Sequence, residues 1–144
     1  MIWQRPPYRI IDDPSAVDLE VVHGFLSSSY WARGIPRETV ARGLAHSLPF
    51  SLYLEERQVG FARAITDRAT FAYLADVFVV EEHRGRGLGA WLVETVLAHP
   101  ELQGLRRWLL VTRDAHELYL KFGFQPPAHP SRLLTRHDPD VYAR

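Results

Sequence analysis

The β-type run Val77-Phe78-Val79-Val80 leads through Glu81-Glu82-His83 into Arg84-Gly85-Arg86-Gly87-Leu88-Gly89-Ala90, and apolar residues then recur at helical spacing (Leu88, Leu92, Val93, Val96, Leu97) until Pro100. This strand–loop–helix unit constrains the chain more than any other segment. Glycines in such a loop reach backbone conformations closed to other residues and let an anion approach the main chain. The helix start adds unpaired N–H groups and partial positive charge. Arg84 and Arg86 add full charges. The unit therefore reads as a phosphate cradle, with a solvated loop as the plainer reading of the two arginines.

The upstream half predicts a short strand at 8–11, a helix starting at Asp13-Pro14 with Leu19, Val22, Phe25 and Leu26 on its inner face, and a break at Ser27–Gly34. A second helix follows Pro36, with Val40 and Leu44 inward. Strands are expected at 50–54 and 59–66, joined by the turn Glu55-Glu56-Arg57-Gln58, and at 69–80 after the turn Asp67-Arg68. A further strand is expected at 107–112, then a helix capped by the box Asp114-Ala115-His116-Glu117 and closed by Gly123. The inner face of that helix reads as Ala115, Leu118 and Phe122, and the Pro-rich tail from Phe124 is expected to hold one or two strands. The order β-αα-βββ-α-β-α-β describes an α/β (α+β) sandwich with a mixed, mostly antiparallel sheet.

Composition narrows the function classes. The chain has 144 residues, 47% of them hydrophobic, which suits a single globular domain over residues 1–144. Formal net charge is zero, which offers no electrostatic basis for nucleic-acid binding. Absence of cysteine excludes thiolate catalysis, disulfides and Cys-based zinc sites. The histidines lack metal-type spacing, so no metal is expected; His116 alone shares a helix with a candidate catalytic residue. No signal-peptide core or bilayer-length apolar run is present, and a cytoplasmic protein with no membrane partner is the expectation.

Gly85-x-Gly87-x-x-Ala90 also fits a dinucleotide fingerprint. A Rossmann glycine follows its strand almost at once, whereas Glu81 to Arg84 intervene here. The upstream half supplies a hairpin instead of a βαβ unit, and about 50 residues after the helix are too few for a doubly wound sheet. A P-loop fails because no Gly-Lys-Ser/Thr follows.

The chain resembles the GNAT superfamily of acetyl-CoA-dependent N-acetyltransferases. Two motifs carry the resemblance. Arg84-Gly85-Arg86-Gly87-Leu88-Gly89 fits that family's Arg/Gln-x-x-Gly-x-Gly/Ala loop. About 30 residues later, Ala115-His116-Glu117-Leu118-Tyr119-Leu120-Lys121-Phe122-Gly123-Phe124 is similar to its later helix, with a Tyr four residues before Gly-Phe. More narrowly, Ser29-Tyr30-Trp31, Gly60-Phe61-Ala62-Arg63 and Thr112-Arg113-Asp114-Ala115-His116 resemble a group of small bacterial members with no firmly assigned acceptor.

The resemblance implies helices on both faces of a sheet splayed between the fourth and fifth predicted strands, with acetyl-CoA in the gap. The backbone of Phe78, Val79 and Val80 would meet the pantetheine amides. The N–H groups from Arg84, Gly85, Arg86, Gly87, Leu88, Gly89 and Ala90 would hold the pyrophosphate, helped by both arginine side chains. The reaction would be direct attack of a neutral amine on the thioester. Tyr119 would be the general acid, since a phenol is protonated at neutral pH; packing is its alternative role.

Asp76, out of pattern in an apolar strand, is the candidate general base, or else a carboxylate paired with an arginine such as Arg63. Tyr30 and Trp31 would wall an amine pocket by cation–π attraction, or merely plug the loop. The expected partner is a small-molecule primary amine. A protein or peptide acceptor, or a non-catalytic acetyl-CoA sensor, are the alternatives. Members of that superfamily often pair, so a homodimer is compatible with the chain, although no segment marks an interface.

Overall fold

Long, almost continuously buried strands form the centre of the molecule. In the computed structural model, which describes residues 1–143, β1 (Ile2–Arg5), β2 (Tyr8–Ile11), β3 (Leu48–Leu54), β4 (Arg57–Thr66), β5 (Phe71–Val79) and β6 (Arg107–Leu109) form one sheet in that spatial order. All neighbours are antiparallel except β5 and β6, which run parallel. A parallel pair needs a crossover, and helix α3 (Leu88–Leu97) lies within it.

Helices cover both faces. Leu88, Trp91, Leu92, Val93 and Val96 of α3 pack with Ile10, Phe50, Leu52, Ala62, Ala64 and Leu74. On the other face, α1 (Leu19–Ser28) and α2 (Arg37–Ala45) bury Val22, Leu26 and Val40 against Phe61 and Phe78. Full burial of each such large apolar side chain contributes about 1.5–3 kcal/mol. The short α4 (His116–Leu120) closes the α3 side. Among the described residues, no helix is long and apolar enough to cross a membrane.

Several expectations need correction. Asp13 caps only a 3₁₀ turn, Pro14–Ala16, and α1 starts one turn later, capped by Asp18 on the N–H groups of Glu20 and Val21. The Asp18 N–H is held at 2.7 Å by the Gln58 side chain from β4, so a tertiary bond keeps this segment out of the helix. β1 was not expected; it is an exposed edge strand paired on one side only. Arg57 and Gln58 belong to β4, leaving Glu55 and Glu56 as the turn.

The strand expected at 107–112 stops at Leu109, because its partner β5 diverges beyond Tyr73. Asp114 does not cap α4: the N-cap position is Ala115, whose N–H goes to the Thr112 hydroxyl at 3.0 Å. Tyr119, not Leu118, is the buried residue of α4. The tail carries 3₁₀ turns at Pro130–Arg132 and Val141–Ala143 and, among the described residues, no strand. It stays exposed from Gln125 to Val141, without the alternating burial a strand needs.

Candidate active site

Gly87 is the N-cap of α3 with φ +76°, and Gly85 has φ +79°, a conformation that side-chain-bearing residues rarely adopt. The first bond of the helix runs from Trp91 N–H to Gly87 C=O at 3.1 Å. No side chain caps the helix. The N–H groups of Leu88, Gly89 and Ala90 therefore have no acceptor among the described residues.

Gly89 is the most informative of the glycines. It lies within the helix without positive φ, and a Cβ added there meets nothing within 4 Å. Neither backbone strain nor packing within the chain calls for glycine at that position. A small cavity of about 180 Å³ lined by Val79, His83, Arg84, Gly85, Gly87, Leu88 and Gly89 sits there. The loop thus fits a phosphate-bearing group such as the pyrophosphate of acetyl-CoA. Both arginines rest on the protein: Arg84 Nε donates to the Val79 carbonyl at 2.9 Å and Arg86 Nη1 to the Tyr8 hydroxyl at 3.3 Å.

The sheet opens beside this loop. β5 and β6 pair only from Phe71↔Arg107 to Tyr73↔Leu109. The Val80 N–H is bonded to Val59 C=O at 2.8 Å, on the β4 side. Alternation along the strand turns the polar groups of Val79 the other way, into the gap, where Arg84 meets its carbonyl. Of the three expected backbone positions, Val79 therefore presents the open edge. Phe78 is buried, its ring stacked on Phe25 at 4.0 Å.

Asp76 sits at a bulge. Phe61 pairs with Phe78 and Arg63 with Ala75, so Asp76 and Val77 together face Ala62. Its φ of +56° is left-handed. Both carboxylate oxygens are engaged: Oδ2 accepts from Arg63 Nε at 2.6 Å and Oδ1 from Trp31 Nε1 at 2.8 Å. Arg63 also donates to Ser47 Oγ at 2.8 Å, which in turn donates to Gly43 C=O at 2.6 Å. The carboxylate is thus paired with Arg63, as one of the two sequence readings had it.

Trp31 and Tyr30 lie edge to face at 5.0 Å, each about two-fifths exposed. The Tyr30 hydroxyl accepts from the Arg113 backbone N–H at 3.1 Å, and the Arg113 guanidinium lies 3.8 Å from the centre of its ring. The α1–α2 loop therefore spans from β5, through Trp31, to the segment after β6, through Tyr30. Arg113 was quoted in a motif but given no role by sequence.

Tyr119 is buried, its ring edge-on to Phe124 at 5.9 Å, and its hydroxyl has no hydrogen-bond partner among the described residues. Burial, with smaller contributions from the neighbouring Tyr30 and Asp114, pushes its pKa up to about 12. Tyr119 thus carries a protonated phenol without a protein acceptor among the described residues. A larger cavity of about 680 Å³ lies between β6 and the tail, lined by residues such as Arg107, Trp108, Phe124 and Arg132. It includes no residue of the glycine loop or of the Tyr30–Trp31 loop.

Relatives fit this geometry. The profile of the acetyltransferase (GNAT) domain matches residues 46–126, more than half of the chain. A Gibberella zeae protein named "Putative acetyltransferase" is 34% identical over 142 residues, covering 83% of this chain and 79% of its own. A crystal structure from Xanthomonas campestris pv. campestris, described as a "putative acetyltransferase belonging to the GNAT family", superposes with a TM-score of 0.94 at 48% identity, covering 98% of this chain and 100% of that one. A predicted acetyltransferase from Clostridium acetobutylicum, solved with acetyl-CoA, shares the fold at 14% identity and a TM-score of 0.66, covering 95% and 96% of the two chains. A glycine cradle at a helix start, a sheet that splays beside it and a tyrosine with a free proton converge with these matches: the chain belongs to the GNAT family of acetyltransferases.

Proposed function

We propose that this chain transfers an acetyl group from acetyl-CoA to a primary amine of a small molecule, by direct attack. The observation that carries the donor assignment is the uncapped start of α3, where N–H groups without an acceptor among the described residues border a small cavity and Gly89 adds no side chain. The N–H groups of Leu88, Gly89 and Ala90 would hold the pyrophosphate, with Arg84 and Arg86 as side-chain donors. The Val79 edge would take the amides of the pantetheine arm as an added strand would. When bound, acetyl-CoA supplies an activated thioester.

Tyr119 holds a proton at Oη where a departing sulfur would take it. Trp31 and Tyr30 would frame the acceptor side. Each carboxylate oxygen of Asp76 accepts one hydrogen bond, from Arg63 and from Trp31, so we assign it to holding Trp31 in place. The lone pair left on each oxygen can still take the proton that the ammonium group of the acceptor must lose before it attacks. The feature that favours a small acceptor is the bridging loop, which ties β5 to the segment after β6.

A thermal-shift titration with acetyl-CoA, followed by a thiol-release screen over small amines and short peptides, tests this reading. The expected result is stabilisation that grows with ligand, and thiol release on one class of small amine. Release on peptides alone would replace the acceptor assignment, and stabilisation without release on any acceptor would favour a sensor. Absence of any shift would remove the donor assignment.

A further inference from the structure

We propose that Tyr8, on the β1–β2 hairpin, is a positioning residue that sets Arg86 for the phosphates of the acetyl donor; this rests on the acetyl-CoA reading above. Tyr8 is 7% exposed, and its ring stands edge-on to His83 at 5.8 Å. Its hydroxyl meets two groups of the glycine loop, His83 Nδ1 at 2.9 Å and Arg86 Nη1 at 3.3 Å. A guanidinium only donates, so the Tyr8 oxygen accepts from Arg86. The same hydroxyl is hydrogen-bonded to His83 Nδ1, with the direction set by the imidazole tautomer. The Tyr8 hydroxyl thus ties Arg86 to His83.

The surroundings argue for a function beyond packing. Arg86 lies between two glycines of positive φ and forms no ion pair among the described residues. An arginine on such a loop has side-chain freedom to lose when it engages a ligand. Tethering one Nη to a buried hydroxyl removes part of that cost beforehand and leaves the other guanidinium donors free. Arg84 has its own tether, the Val79 carbonyl, so the loop presents two pre-set cations by two different means.

The test is calorimetric titration of acetyl-CoA into the full chain and into Tyr8→Phe, Arg86→Gln and the double variant, with the ligand-free melting temperature of each as a folding control. Phenylalanine keeps the ring against His83 and removes only the hydroxyl. Each single substitution is expected to raise Kd about three- to tenfold, the range of one hydrogen bond. On the Arg86→Gln background, Tyr8→Phe should add nothing. Wild-type affinity in Tyr8→Phe would overturn the proposal. So would losses that multiply in the double variant, since a tyrosine acting through packing would weaken binding with or without Arg86. If the unaltered chain fails to bind acetyl-CoA, the donor reading falls and the proposal with it; binding by the unaltered chain with wild-type affinity in Tyr8→Phe sinks the proposal alone.

Discussion

Gly89, Tyr119 and Asp76 separate the demands of folding from those of chemistry. Gly89→Ala removes a poor helix former where a methyl group has space, so the fold should be unchanged or gain at most about 1 kcal/mol. Acetyl-CoA affinity should nevertheless fall by about tenfold or more, the loss of one charge-assisted hydrogen bond. Melting and titration of the same variant check both halves. Tyr119→Phe should lower kcat by about a hundredfold with little change in acetyl-CoA affinity. Because the wild-type pKa is raised to about 12, the phenol stays protonated throughout an ordinary assay range. The pH profile below about 10 should therefore drop in height without changing shape.

The same raised pKa contributes stability that is complete below the unfolded value near 10 and lost as pH rises through about 12. Alkaline unfolding of wild type should thus be steeper than that of Tyr119→Phe. Asp76→Asn keeps an acceptor for Trp31 and tolerates left-handed backbone, but loses the Arg63 ion pair, at a cost of about 2 kcal/mol for a pair partly open to water. If Asp76 only positions Trp31, kcat retains its pH dependence in this variant. Loss of the acidic limb, the fall in kcat at low pH that a base causes when it is protonated, would restore it as the general base.

At the scale of elements, the turns fix which strands can meet. Asp67 joins β4 to β5 by accepting the N–H groups of Ala69, Thr70 and Phe71 and the Thr70 hydroxyl. Hydrogen bonding, led by that hydroxyl, holds its carboxyl well below the usual range. A depressed carboxyl stabilises fully above its unfolded pKa near 3.9, and the contribution is lost as pH falls through the folded value. Asp67→Ala should lower the melting temperature at pH 7 and flatten its decline below pH 4. The turn was legible in sequence, because Asp in a strand-to-strand turn hydrogen-bonds its own following backbone. The cap of α4 was not. Asp114-x-x-Glu117 has the spacing of a capping box, but Thr112 took the Ala115 N–H while Arg113 was drawn onto Tyr30. Propensity at a helix end yields to a tertiary contact of similar strength.

The molecule as a whole is a sheet with an opening on one flank, and its parts meet across that opening. The α1–α2 loop ties β5 to the segment after β6, so ligand in the gap should stiffen both. Hydrogen exchange of Val79 and of the α3 start should slow on addition of acetyl-CoA, while the β1–β3 side stays unchanged; uniform slowing would instead indicate global stabilisation alone. Sequence alone determined what is local. Apolar periodicity set most of the strands and helices, glycines before a helix start marked the candidate phosphate loop, and the resemblance of the segment with Tyr119 before Gly-Phe marked the candidate acid. Tertiary structure decided what depends on distant segments. These are the pairing of Asp76 with Arg63 and Trp31, the burial that raises the Tyr119 pKa, the early end of β6, and the meeting of Tyr8 with Arg86 across 78 positions of chain. A hydrogen-bond partner brought by the fold leaves no periodic trace in sequence, whereas a backbone conformation that only glycine adopts is written at the residue itself.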